Sequence, residues 1–291
     1  IYRVPHITAA GETQASTDMT IRLGGKGYNQ AAAACKSGGA VWLAGCIGTD
    51  GKPFLDACSK LGIHAELVKT VPDCKTGHAV IQVSEEGENS ILLFGGANQR
   101  QDRAYIDHVL SKFDRGDYLM LQNEVNELPY LIDRAYEIGM EIVLNPSPFN
   151  DIILKCDLDK ASWLLVNEIE CRQILEADCD EKPAEQLRRK YPGCNIVVTL
   201  GKNGARCWID GRAISQRAFS VTPVDTTGAG DCFTGYLIGM TAAGYSCQDA
   251  LRTATAASAL CITRPGAAES VPTYAEVQAA LRGSIEPTVR S

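Results

Sequence analysis

A chain of 291 residues that is 45% apolar and 22% charged can bury one large core or two modest ones, and its composition is neither disordered nor collagen-like. Its net charge of -7, with no five-residue run of Lys and Arg, excludes a basic nucleic-acid footprint, although a phosphate ligand needs only local donors and a metal ion. No apolar stretch approaches the roughly 18 residues that span a bilayer. The twelve cysteines include no C-x-x-C pair, and His6, His64, His78 and His108 lack metal-ligand spacing, so a reducing cytosol without structural zinc is expected.

The chain starts inside a strand-like IYRVPHIT with no initiating Met and no visible signal peptide, which leaves room for residues upstream. Short apolar runs then alternate with segments of helical period. Strands are expected at 41–47, 118–122, 141–145, 163–167 and 195–200, and helices at 28–38, 52–62, 101–111, 127–139, 168–177 and 182–190. This βα rhythm predicts an α/β fold with a doubly wound, mainly parallel sheet and helices on both faces. It is broken at 76–94, where two strands flank a Glu-Gly turn; with 18–25 they suggest a small sheet standing off the main one as a lid. After 200 comes a hairpin with Asp210-Gly211 in its turn, and then helices at 229–243, 247–262 and 273–283. The whole of 1–291 reads as one α/β domain, with the lid formed by about 1–23 and 76–94.

The strongest chemical signal is VDTTGAGDCFTGYLIGM at 224–240, a Gly-rich turn running into a helix. Gly228, Ala229 and Gly230 let the main chain approach an anion while the helix N-terminus adds partial positive charge. Asp231 either accepts the proton of a hydroxyl attacking a phosphoryl group there or only complements the helix dipole. The P-loop pattern has no match, and Gly228 and Gly230 are followed by Phe233 where the dinucleotide fingerprint needs a third Gly. A second cluster, LGGKGYNQAAAACKSGG at 23–39, offers Gly24 and Gly25 for close backbone approach and Lys26 and Asn29 for hydroxyls; alone it reads equally as a tight strand-to-helix turn.

Together, GGKGYNQAAAA and DTTGAGDCFTG resemble the two signature motifs of the ribokinase family. The resemblance continues in order through GTDGKPFLDACSKLGI, GGAN at 95–98, LQNE at 121–124, LNPSP, VNEIE, VTLGKNG and ITRPGAAESVP. It implies a kinase that moves the γ-phosphate of ATP to the primary hydroxyl of a small sugar, foremost D-ribose, with fructose, a deoxy sugar acid or a nucleoside as alternatives. A non-catalytic sugar-binding regulator is a further alternative, against which Asp231 and the GAG turn speak.

By the same resemblance Asp231 is the general base and Gly228, Ala229 and Gly230 the anion hole, while Gly24, Gly25, Lys26, Asn29, Asn98 and Glu124 bind sugar. Asn167 and Glu170 act on Mg²⁺ and phosphate through water, or simply cap a helix. Thr199, Gly201, Lys202, Gly230 and Thr255 meet the nucleotide. Asp225, Thr227, Cys261, Arg264, Gly266 and Ser270 match a loop site for a monovalent cation, K⁺, whose bland alternative is a turn braced by Asp225. The resemblance also implies a cytoplasmic homodimer paired through the lid, and a strand ending in G-x-N-x-D ahead of the point where this numbering starts.

Overall fold

The computed structural model describes residues 1–176, 183–209 and 211–283. Strands β1 (Tyr2–Val4) and β2 (Asp18–Met19) precede helix α1 (Lys26–Lys36); β3 (Trp42–Ile47), α2 (Lys52–Leu61), β4 (His64–Thr70) and the hairpin β5 (His78–Ser84) and β6 (Asn89–Phe94) follow. From α3 (Arg103–Leu110) the chain alternates through β7 (Tyr118–Gln122), α4 (Leu128–Ile138), β8 (Glu141–Asn145), the single turn α5 (Asp151–Leu154), β9 (Trp163–Asn167), α6 (Glu168–Leu175), α7 (Pro183–Lys190) and β10 (Asn195–Thr199). The hairpin β11 (Ala205–Ile209) and β12 (Arg212–Gln216) leads into α8 (Ala229–Ala242), α9 (Cys247–Cys261) and α10 (Tyr274–Gly283). Asp210 of the expected hairpin turn, residue 177 of one expected helix and residue 182 of the next lie outside the described residues.

The main sheet runs β12-β11-β10-β9-β8-β7, parallel from β10 to β7 and antiparallel at the hairpin. Because successive side chains of a strand point to opposite faces, each central strand feeds two cores. Trp163 and Leu165 of β9 and Val197 of β10 pack against α8 and α9. Leu164, Val166, Ile196 and Val198 pack on the other face, against α4, α6 and α7. The fold is thus a doubly wound, mainly parallel sheet with helices on both faces, as the βα rhythm predicts.

One departure concerns the sheet's far side. Residues 42–47 do not join the main sheet; β3 pairs in parallel only with β4, a strand the sequence pattern had not suggested. HAELVKT does alternate, with Ala65 and Leu67 turned inward between exposed His64, Glu66 and Lys69, but its charges hid the apolar face. A cavity of about 2350 Å³ runs between β3 and β7 and out beneath the lid.

The lid is a four-stranded sheet ordered β2-β1-β5-β6, in which residues 18–19 do pair, against β1. Its base is clamped by Asp50, whose Oδ1 accepts from both the N–H and the hydroxyl of Thr76, at 2.9 and 2.8 Å. These two bonds and nearby Lys75 hold the Asp50 carboxyl down to about 2.

Helices α1 and α8 cross at small residues: Ala31 to Ala34 on one, Gly235 and Gly239 on the other. A Cβ on Gly235 would sit 2.5 Å from that of Ala33 and 2.8 Å from the Ala34 nitrogen, and would strike the Gln30 carbonyl oxygen. Only glycine lets the backbones approach so closely. The crossing carries the N-terminal turns of both helices to one point, where the site is built.

Candidate active site

At that point Asp231, in the first turn of α8, is 8% exposed. Its Oδ2 accepts from Asn29 Nδ2 at 2.9 Å and its Oδ1 from Gln30 Nε2 at 3.0 Å, both amides arriving from α1. The turn before it needs glycine: Gly228 caps α8 at φ 75°, and a Cβ there would lie 3.0 Å from Ala267 Cβ. The first N–H groups of a helix have no partner within it. Here Ala229 N–H turns back to the Thr226 carbonyl at 3.3 Å, whereas those of Gly230 and Asp231 meet no acceptor among the described residues. The N–H groups open to an anion at this turn therefore include those of Gly230 and Asp231, with Gly228 shaping the turn.

At the start of α1, Gly25 caps the helix at φ 99°, and the following N–H, that of Lys26, donates to Glu124 Oε2 at 3.0 Å. The Lys26 backbone thus braces the Glu124 carboxylate. Burial raises the Glu124 carboxyl above its ordinary value, an effect the Lys26 N–H opposes and the negative charge of Asp231 reinforces. Gly24, Gly25, Asn29, Asn98 and Glu124 all line the cavity beneath the lid. Asn29 Oδ1 is buried and has no hydrogen-bond partner among the described residues, an expensive state for a carbonyl unless a ligand donates to it.

The residues matched to the nucleotide and its metal lie apart from this cavity. Asn167 caps α6 by accepting from Ile169 and Glu170 N–H groups at 2.9 Å, and Glu170 Oε2 returns the contact to Asn167 N–H at 3.0 Å. This is a complete capping box, the simpler of the two readings. Thr199 ends β10, and Gly201, at φ 55°, and Lys202 form the exposed turn after it. Thr255 is buried in α9 and donates to the Leu251 carbonyl of its own helix. What α9 does offer the site is Ser258, whose hydroxyl donates to the Ala229 carbonyl at 2.9 Å and so braces the anion-hole turn from beneath.

Asp225 bridges two loops: Oδ1 accepts from Thr227 N–H and Oδ2 from Gly266 N–H, each at 2.9 Å. Burial pushes its carboxyl up, but these donors outweigh that and hold it below the ordinary range. Ser270 donates to the Gly266 and Ala267 carbonyls and lies 2.9 Å from Cys261 Sγ, while the Arg264 guanidinium is held by Glu276 at 2.7 Å. Side chains of Asp225 and Ser270 and the carbonyls around them converge; the Arg264 side chain faces away into its ion pair.

Residues 1–274 match the pfkB family carbohydrate kinase pattern. The chain belongs to the pfkB family of carbohydrate kinases. It is 32% identical over 284 residues to the ribokinase of Haemophilus influenzae, covering 95% of this chain and 92% of that one. Among solved structures it resembles the Cryptococcus neoformans ribokinase in complex with ADP, at 35% identity, TM-score 0.81 and coverage of 96% and 94%. It also resembles the Arabidopsis thaliana ribokinase complexed with ribose and ATP, at 27% identity, TM-score 0.83 and coverage of 97% and 95%.

The residues of this pfkB kinase that sequence reasoning missed are amides and a hydroxyl around Asp231 and its turn: Gln30 and Gln122, which line the cavity, and Asn145 and Ser258, which do not. Gln30 sat within a quoted motif beside Asn29, but its helical position gave no reason to prefer it. The partners that give it meaning come from β7, β8 and α8, far away in sequence.

Proposed function

We propose that this kinase transfers the γ-phosphate of ATP to the primary hydroxyl of D-ribose, giving ribose 5-phosphate. The observation that carries this reading is the buried Asp231 carboxylate, gripped in the first turn of α8 by two α1 amides, Asn29 and Gln30, that line the cavity together with Glu124. The relative complexed with ribose and ATP supports the choice of substrates. In the proposed reaction the sugar is oriented by Glu124, by the Gly24-Gly25 backbone and by Asn29 Oδ1, which receives a hydroxyl. Asp231 takes the proton of the attacking hydroxyl as the O–P bond forms. The Gly230 and Asp231 N–H groups and the α8 dipole stabilise charge on the phosphoryl oxygens. ADP leaves, and Asp231 releases its proton to solvent.

Mg²⁺ would accompany ATP and neutralise phosphate charge, and the Glu170 carboxylate, whose Oε2 makes the cap contact, would accept from one of its waters. A K⁺ ion fits the loop pair at Asp225, because carbonyl and hydroxyl oxygens suit a large, weakly hydrated ion, and Thr227, Gly266 and Ser270 bring them there. The proposed contribution of this loop is to fix the turn carrying the Gly230 N–H. Asp225→Asn is expected to blunt activation by K⁺; equal wild-type activity in K⁺ and in a bulky organic cation would rule the site out.

A homodimer through the lid is proposed from β6, a sheet edge whose apolar residues are exposed on both faces: Ile91 54%, Leu92 70%, Leu93 57% and Phe94 50%. Unpaired apolar edges are templates for pairing. Light scattering at micromolar concentration should give a dimer mass, and a monomer would exclude it. A cytoplasmic location is supported by the absence of disulfides among the described cysteines. No described helix is long and apolar enough to cross a membrane.

The test of the main reading is a panel of ribose, 2-deoxyribose, fructose, a deoxy sugar acid and nucleosides in a coupled ADP-release assay, with and without K⁺. Ribose is expected to give the highest kcat/KM. Turnover of none of them would leave a sugar-binding protein without catalysis.

A further inference from the structure

Gln30 is 1% exposed, yet its side chain is fully engaged in polar contacts. Its Nε2 donates to Asp231 Oδ1 at 3.0 Å and lies 3.3 Å from Asn145 Oδ1, while its Oε1 accepts from Gln122 Nε2 at 2.6 Å. An amide can be turned end for end, so the direction in which it donates must be set by its neighbours. Here it is set by a group that cannot be turned: the Leu165 carbonyl of β9, which accepts from Asn145 Nδ2 at 2.9 Å. Because that carbonyl only accepts, Asn145 presents its oxygen to Gln30, and Gln30 presents its N–H to Asp231. Gln122 closes the arrangement from the other side.

We infer that Gln30 is a positioning residue for catalysis: it orients the Asp231 carboxylate, on polarity imposed by the main sheet through Asn145 and Gln122. Asn29 and Gln30 both line the cavity and hold opposite oxygens of Asp231, but only Gln30 is tied through further amides to the main sheet. Every member between Leu165 and Asp231 is a neutral amide, so the carboxylate is fixed without a competing acid or a second charge. A buried chain of this kind, with its contacts satisfied, favours one arrangement strongly. The inference rests on the reading of Asp231 as the base.

The test uses the full chain in steady-state and single-turnover assays. Gln30→Met keeps the side-chain volume and removes the donor. A hydrogen bond to a charged group is worth enough that kcat should fall about tenfold to a hundredfold. The KM values for ribose and ATP should stay within about threefold, since the contact orients the base rather than a substrate. In an Asp231→Asn background the same substitution should not lower kcat further, because what it orients is gone. Asn145→Leu, at a residue that does not line the cavity, should reproduce a smaller kcat loss with the same coupling; it serves if Gln30→Met does not fold. Wild-type kcat in both single variants, or losses that add fully to that of Asp231→Asn, would overturn the inference. If Asp231→Asn itself stays active, it is the assignment of the base that fails, and the two failures are told apart.

Discussion

Replacing Asp231 by Asn is expected to lower kcat at least about a hundredfold, the lower end of what a positioned general base contributes. Asn keeps the size of the side chain and an oxygen to face the fixed Gln30 donor, and Asn29, whose Oδ1 has no partner among the described residues, can turn to meet the new amide, so the pocket should survive. What is lost is the lone pair that takes the hydroxyl proton. That interaction develops in the transition state, so it appears in kcat while the KM values for sugar and ATP move by no more than a few-fold. Calorimetric binding of ribose to the variant gives the control. An Asn variant with near-normal kcat and intact fold would reduce Asp231 to a helix-dipole partner.

Glu124→Gln is expected to raise the KM for ribose by about tenfold, because a charged acceptor is exchanged for a neutral one of the same shape. The wild type should carry a matching pH signature. Burial, with the negative charge of Asp231, raises the Glu124 carboxyl against the opposing Lys26 N–H. As pH falls through this raised value the carboxylate protonates and ribose KM climbs, at a pH above that of an ordinary Glu. The variant should lack this limb. Stability moves the other way: ionising a carboxyl whose folded value is raised penalises the folded state. That penalty is absent below the unfolded value and fully present above the folded one. Glu124→Gln, which keeps an oxygen for the Lys26 N–H, should therefore raise Tm at neutral pH while weakening sugar binding. A flat ribose KM in the wild type between pH 5 and 8, together with an unchanged KM in the variant, would remove Glu124 from the sugar site.

The main strands and helices were legible because their apolar periods are strong: YLMLQ, EIVLN, WLLVN and NIVVT fall where the structure has β7 to β10. The charged alternation of β4 was legible only once a partner strand existed to explain it. In the site, the motif residues Asn29, Glu124 and Asp231 come together, as the resemblance implied. Their working atoms were less accessible. The Lys26 N–H meets Glu124, and the Ala229 N–H folds back, details set by backbone dihedrals that residue identity does not encode. Gln30, Gln122 and Asn145 carry ordinary amides, and only the tertiary fold, joining α1, β7 and β8, gives them a common purpose.

The glycine crossing of α1 and α8 makes catalytic competence a matter of clearance between two rods. Two bonds near 3 Å join Asp231 to α1, and they sit at the ends of helices kept apart by nothing bulkier than hydrogen at Gly235. A separation of half an ångström would leave the apolar interior still buried yet lengthen both bonds past usefulness. Warming or mild denaturant should then silence the enzyme while circular dichroism and tryptophan emission still report a native protein.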